Sequence, residues 1–182
     1  MSERVSSIII LCEDDAHSAL VRSYMKECGL NAESPCCKPI VASREVHGGN
    51  VKWVLNEFPR QFAAVQARHK AHANTLLIVV ADADDQSVSD RINQLRRSSP
   101  HTNSDPVVLL IPKRNVETWI RLALNPKELL TESDDYKPRR LDKSQLRAAA
   151  KQIHTWVHSE PKPDFITVPS MAESLSQWRR IG

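Results

Sequence analysis

The chain has 182 residues, 41% of them apolar and 26% charged, with a formal net charge of +3. That composition suits one globular domain with a real core and excludes a disordered chain. No apolar run approaches the ~20 residues that span a bilayer, and the opening MSERVSSIIILCEDD has too short an apolar stretch for a signal peptide, with acids following at once, so a cytoplasmic protein is expected.

Residues 7–13, SIIILCE, form a continuous isoleucine-rich run that ends in acids. This is the pattern of a strand buried on both faces. Asp14 and Asp15 can cap the helix that follows, in which Ala16, Leu20, Tyr24 and Cys28 recur at helical spacing and Gly29 is a natural stop. Residues 35–43, PCCKPIVAS, read as a weaker strand, and Pro39 assigns it to an edge or a bend. His47, Gly48, Gly49 and Asn50 read as a loop. From Val51 to about Ala71 the pattern is helical, with Val54, Phe58, Phe62 and Val65 on one side and Pro59 predicting a kink or a restart.

Residues 76–81, LLIVVA, are the strongest buried strand and end in Asp82-Ala83-Asp84-Asp85. Residues 87–97 read as a short helix with Val88, Ile92 and Leu95 facing inward. Residues 106–111, PVVLLI, are a further buried strand, ending at Pro112-Lys113-Arg114-Asn115, and a helix follows through Glu117, Trp119 and Leu122. Apolar strands alternating with helices predict an α/β, Rossmann-like fold: a mainly parallel central sheet, right-handed crossovers and helices on both faces. Residues 1–125 make up this core, and residues 126–182 a helical C-terminal extension packing on it within one structural domain. In the extension, residues 126–145 are loop-like, residues 144–158 a helix broken by Pro161 and Pro163, and residues 165–168 a short strand. Ser170 is expected to cap a last helix that buries Met171, Leu175 and Trp178.

In open parallel sheets, sites form beyond the carboxyl ends of the strands. Glu13 follows one buried strand directly, and Asp82 and Asp84 follow another. Residues two apart in an extended segment project the same way, so Asp82 and Asp84 can offer paired oxygen ligands, with Asp85 spare. Hard oxygen ligands and retained waters suit Mg²⁺. Caps and turns would explain Asp14, Asp84 and Asp85 taken one at a time; two acidic strand ends in one short domain favour a metal site. The cysteines point elsewhere: Cys12 and Cys28 read as small core residues, and adjacent Cys36 and Cys37 fit neither a disulfide framework nor a zinc knuckle. The seven histidines form no HExxH or finger spacing, and His69 and His72 read as a solvated helix face. Basic residues concentrate in the second half, among them Arg91, Arg96, Arg97, Arg121 and the stretch Lys137, Arg139, Arg140 and Lys143, a field that can attract a polyanion.

The layout resembles the Toprim domain of topoisomerases, bacterial primases, and the nucleases of the overcoming-lysogenization-defect and small ribosomal-RNA-maturation types. The match is Glu13 in IIILCEDD with Asp82 and Asp84 in IVVADADD, over about residues 5–125. The resemblance implies that the two aspartates bind Mg²⁺ (or Mn²⁺) and that the glutamate is a metal ligand or a general acid/base in phosphoryl transfer. The stretch IPKRNVETWIRLAL is similar to a Toprim-related subgroup of small bacterial proteins associated with phage defence or encoded beside ATPases; there Pro112, Glu117 and Trp119 carry the match. This implies a nucleic-acid substrate, DNA or RNA, a catalytic role for Glu117, phosphate contacts from Lys113 and Arg114, and a partner ATPase, with no membrane involved. Toprim proteins usually carry glycine right after the glutamate; this chain has Asp14. The expected activity is metal-dependent nuclease cleavage. Two alternatives stand beside it. One is a receiver-like phosphoacceptor domain, for which Glu13, Asp14 and Lys113 are well placed while Asp82 comes late in the chain. The other is a non-catalytic Toprim-like module that binds a partner.

Overall fold

A computed structural model describes residues 6–45, 50–134, 136, 142–160, 165 and 167–182. The elements are β1 (Ser7–Cys12), α1 (Asp15–Glu27), β2 (Cys37–Val41), α2 (Ala42–Glu45), α3 (Val51–Lys70), β3 (Thr75–Val80), α4 (Val88–Ser98), β4 (Val107–Leu110), α5 (Val116–Leu124), α6 (Lys143–His158) and α7 (Pro169–Arg179). The four strands form one all-parallel sheet in the order β2-β1-β3-β4, the α/β Rossmann-like architecture that the alternating pattern predicts.

Alternation along each strand feeds two apolar cores, one on each face. Ile8, Ile10 and Cys12 of β1, with Leu76, Ile78 and Val80 of β3, face α1, α5, α6 and α7. Ile9 and Leu11, with Leu77 and Val79, face α3 and α4. The helices of the last third therefore share the core of α1 and α5: Ile153, Trp156, Met171 and Trp178 lie in the same apolar cluster as Tyr24 and Trp119.

The order has one consequence for function. From β1 the chain moves to β2 on one side, then crosses back through α3 to β3 on the other side of β1. This reversal opens a crevice beyond the carboxyl ends of β1 and β3, where ligands bind in sheets of this kind. The register pairs Cys12 with Val80, so the residues that follow each strand, Glu13 and Ala81–Asp82, emerge side by side.

Several local expectations change. Helix α3 runs unbroken past Pro59. Val54, Phe58, Phe62 and Val65 are buried on either side of it, with Phe58 and Phe62 stacked at 5.7 Å, and this packing outweighs one missing backbone hydrogen bond. Pro39 sits in edge strand β2, opposite Ile10, where its lost donor is tolerated. The short strand expected at residues 165–168 is absent among its described residues: Val168 N–H donates to the Phe165 carbonyl at 2.9 Å, and Phe165 packs edge-on against Trp156. The β4 edge it could have extended is covered by α7, whose Gln177 Oε1 accepts from Leu109 N at 3.4 Å. Ser170 does not cap α7, which begins at Pro169. Its hydroxyl instead accepts from the buried Trp119 Nε1 at 2.8 Å. His47, Gly48 and Gly49, the basic residues Lys137, Arg139 and Arg140, and Pro161 and Pro163 lie outside the described residues. Among the described residues, no helix is long and apolar enough to cross a membrane.

Candidate metal centre

Glu13 leaves β1 and Asp82 follows β3, and the two meet. Glu13 Oε1 accepts from the Asp82 backbone N–H at 2.6 Å, so one carboxylate is anchored to the neighbouring strand end. Both residues are 9% exposed. The third member comes from the first turn of α1. Asp14 caps that helix, its Oδ1 accepting from Ala16 N and His17 N at 2.9 and 3.1 Å. The cap fixes the turn that carries His17, which is 1% exposed. The imidazole bridges two acids, with Nδ1 at 2.7 Å from Asp14 Oδ1 and Nε2 at 3.0 Å from Asp82 Oδ1. One ligand atom each from Glu13, His17 and Asp82 lies within 4.8 Å of the others.

The electrostatics follow from burial and proximity. Burial, then the charge of Asp82, pushes the Glu13 carboxyl up to about 7. Burial also raises Asp82, against the pull of His17. For His17 burial disfavours the charged ring, but the Asp82 charge and the hydrogen bonds to Asp14 and Asp82 prevail and hold it well above its usual value. Burial of Asp14 is likewise outweighed by its bonds to His17, which bring its carboxyl down to about 2. Three carboxylates thus surround one imidazole, and the cluster carries an excess of negative charge.

The other candidate residues ring this group without joining it. Asp84 has φ +53°, a left-handed backbone, so the extended alternation that would align it with Asp82 stops there. Its charge still reaches the cluster and raises both Glu13 and Asp82. Glu117 sits in the first turn of α5, and its carboxyl is raised by burial and by the charges of Asp14 and Asp82. Lys113 lies beyond β4 and donates to the Asp84 carbonyl at 2.7 Å, tying that turn to the neighbouring strand end. Arg114 Nη1 is 3.6 Å from Asp85 Oδ1, at the exposed rim.

Two residues with clear places here escaped the sequence reading. His17 was passed over with the other histidines, yet it shares the buried face of α1 with Leu20, Val21 and Tyr24 and lies one turn after an acidic strand end. A histidine on an apolar stripe at that position was the available signal. From sequence Arg91 reads as part of a basic field. It is 4% exposed, and it donates from Nε to the Asp82 carbonyl at 3.0 Å and from Nη2 to the Ala83 carbonyl at 3.2 Å, holding the loop that presents Asp82. Its place three residues after Val88 and four before Leu95, on the inward face of α4, was the available signal.

No protein-family model, curated protein or solved structure matches this chain.

Proposed function

We propose that the protein is a metal-dependent phosphoryl-transfer enzyme of Toprim-like type that cleaves nucleic-acid phosphodiesters. The observation that carries this reading is the convergence of Glu13 and Asp82 in the β1/β3 crevice, with Asp84 raising both acids and Glu117 within reach of the Asp82 charge. The residues fit a cation: buried carboxylates outnumber the one imidazole among them, and a divalent ion relieves that imbalance. Asp82 would hold the ion, with Glu13 and Asp84 contributing oxygens to it or to its bound waters. Such an ion supplies charge to neutralise the phosphate and lowers the pKa of bound water.

The chain's own groups then have separate tasks. Glu13, anchored through Oε1, can receive or return a proton at its other oxygen. Glu117 enters from α5 as a second carboxylate near the scissile group. Arg91 keeps the Asp82 loop in place from behind. Lys113 and Arg114 follow the carboxyl end of β4, and release from their present partners would let them meet a phosphate. A role in phage defence with a partner ATPase belongs to the same resemblance.

The test compares DNA and RNA cleavage with Mg²⁺ or Mn²⁺ in the native chain and in an Asp82→Asn, Asp84→Asn double variant. Asparagine tolerates the left-handed backbone at residue 84, so loss of activity in the variant reports chemistry rather than misfolding. Activity dependent on the ion and lost in the variant is expected. Equal cleavage by both chains, or none with either ion, refutes the enzyme.

The receiver reading has one observation in its favour. Asp82 ends a central strand beside Glu13 and Asp14, and Lys113 reaches the turn that follows it. Acetyl-phosphate labelling at Asp82 would select this second reading.

A further inference from the structure

The acids expected at this site describe an all-oxygen ion pocket. The geometry adds a nitrogen. His17 Nε2 is hydrogen-bonded to Asp82 Oδ1 at 3.0 Å with a Glu13 oxygen within 4.8 Å, while Nδ1 is held by Asp14 Oδ1 at 2.7 Å. Metal-bound histidines are built this way: one ring nitrogen faces the ion and the other is oriented by a carboxylate. Here both partners are fixed by the same helix start, because Asp14 is the N-cap of α1 and His17 its first buried residue.

The spacing is also right for shared coordination. Around an octahedral ion with bonds of about 2.1 Å, neighbouring ligand atoms stand about 3 Å apart and opposite ones about 4.2 Å. Nε2 and Oδ1, now hydrogen-bonded at 3.0 Å, stand at the separation of neighbouring ligands, and the three ligand atoms lie within 4.8 Å of one another, so a small inward shift of Glu13 completes the set. Magnesium favours oxygen and water, whereas imidazole suits the first-row transition ions.

Resting on the metal reading above, we propose that His17 is a direct ligand oriented by Asp14, its Nε2 proton passing to solvent as the ion takes that proton's place beside Asp82 Oδ1, and that the site selects a first-row transition ion over Mg²⁺. Asp14 then has a task of its own, as the carboxylate behind the ligand.

The probe is Mn²⁺, titrated into the full chain and followed by electron paramagnetic resonance, with pulsed detection of nitrogen coupling and with Mg²⁺ as competitor. The native chain should bind one Mn²⁺ with coupling from a single imidazole nitrogen, and Mg²⁺ should displace it only at about tenfold or greater excess. Asp14→Asn keeps the ring but weakens its orientation, and should lower Mn²⁺ affinity about 10- to 100-fold. His17→Gln should bind the ion through oxygens alone, without the nitrogen signal and with most of the preference over Mg²⁺ lost. Mn²⁺ bound without nitrogen coupling in the native chain overturns the role of His17 and leaves the carboxylate site standing. No Mn²⁺ binding at all overturns both. The signal from the native chain decides the matter even if His17→Gln fails to fold.

Discussion

Glu13→Gln isolates the cost of burying a carboxylate at this strand end. The side chain keeps its shape, and its amide oxygen can still accept from Asp82 N–H, so the main change is the removal of a titrating charge. In the fold the Glu13 carboxyl is raised from 4.5 to about 7. The folded protein therefore keeps a proton that the unfolded chain has released, and stability falls as pH rises through that window. The full difference corresponds to about 3 kcal/mol. Relative to Glu13→Gln, the native chain should be level near pH 4.5 and less stable by about 3 kcal/mol at pH 8, with the gap opening between these values. For a chain of this length that is on the order of 10 °C in melting temperature. Urea unfolding of both proteins, in a chelator and at several pH values, measures it directly. A gap that stays constant from pH 5 to pH 8 would show that Glu13 is not held in a desolvated, anionic setting, and would remove the electrostatic case for a cation there.

Three further perturbations probe the supports of the site. Ser170→Ala leaves the buried Trp119 Nε1 without its acceptor and should cost about 1–3 kcal/mol by chemical denaturation, although residue 170 is far from the acids in sequence. Asp84→Gly should be tolerated better than Asp84→Ala, because glycine accepts the left-handed backbone; a difference of about 1 kcal/mol in favour of glycine is expected in the same assay. Asp14 is held down at about 2, so its contribution to stability is complete above its ordinary value of 3.8 and is lost as pH falls toward 2. Asp14→Asn should flatten that acid limb of the unfolding curve, and a limb unchanged by the substitution would contradict the Asp14–His17 bond.

The sheet was legible because its strands declare themselves. IIILC, LLIVV and VVLL are short apolar runs ended by acids or by proline, and such runs belong to strands covered on both faces. Pro39 correctly marked an edge. Pro59 does not restart the helix, because the penalty for one lost hydrogen bond is smaller than the gain from four buried side chains flanking it. The final segment misled: Phe165 and Val168 are apolar because they plug a helical core, and apolarity over so few residues does not distinguish a plug from a strand. At the site, Glu13 and Asp82 were readable from their places at strand ends. His17 was not, since its role depends on which way the first turn of α1 faces once β1 and β3 are side by side. Arg91 depends on the same assembly, because its acceptors are backbone carbonyls that no sequence pattern displays.

That dependence also bears on how the site holds together. Glu13 is fixed by the backbone of the neighbouring strand end, Asp82 by Arg91 through its carbonyl, and His17 by the cap of its own helix. None of these three anchors occupies Glu13 Oε2 or either carboxylate oxygen of Asp82. The His17 ring lies between Asp14 and Asp82, and the two acids favour its charged form. On the metal reading, a site supported on three elements is preorganised for its ligand, and His17 gives up its Nε2 proton to share an ion with Asp82. A purely structural ion triad would need no Glu13 beside it, held at a cost that the pH dependence of Glu13→Gln measures.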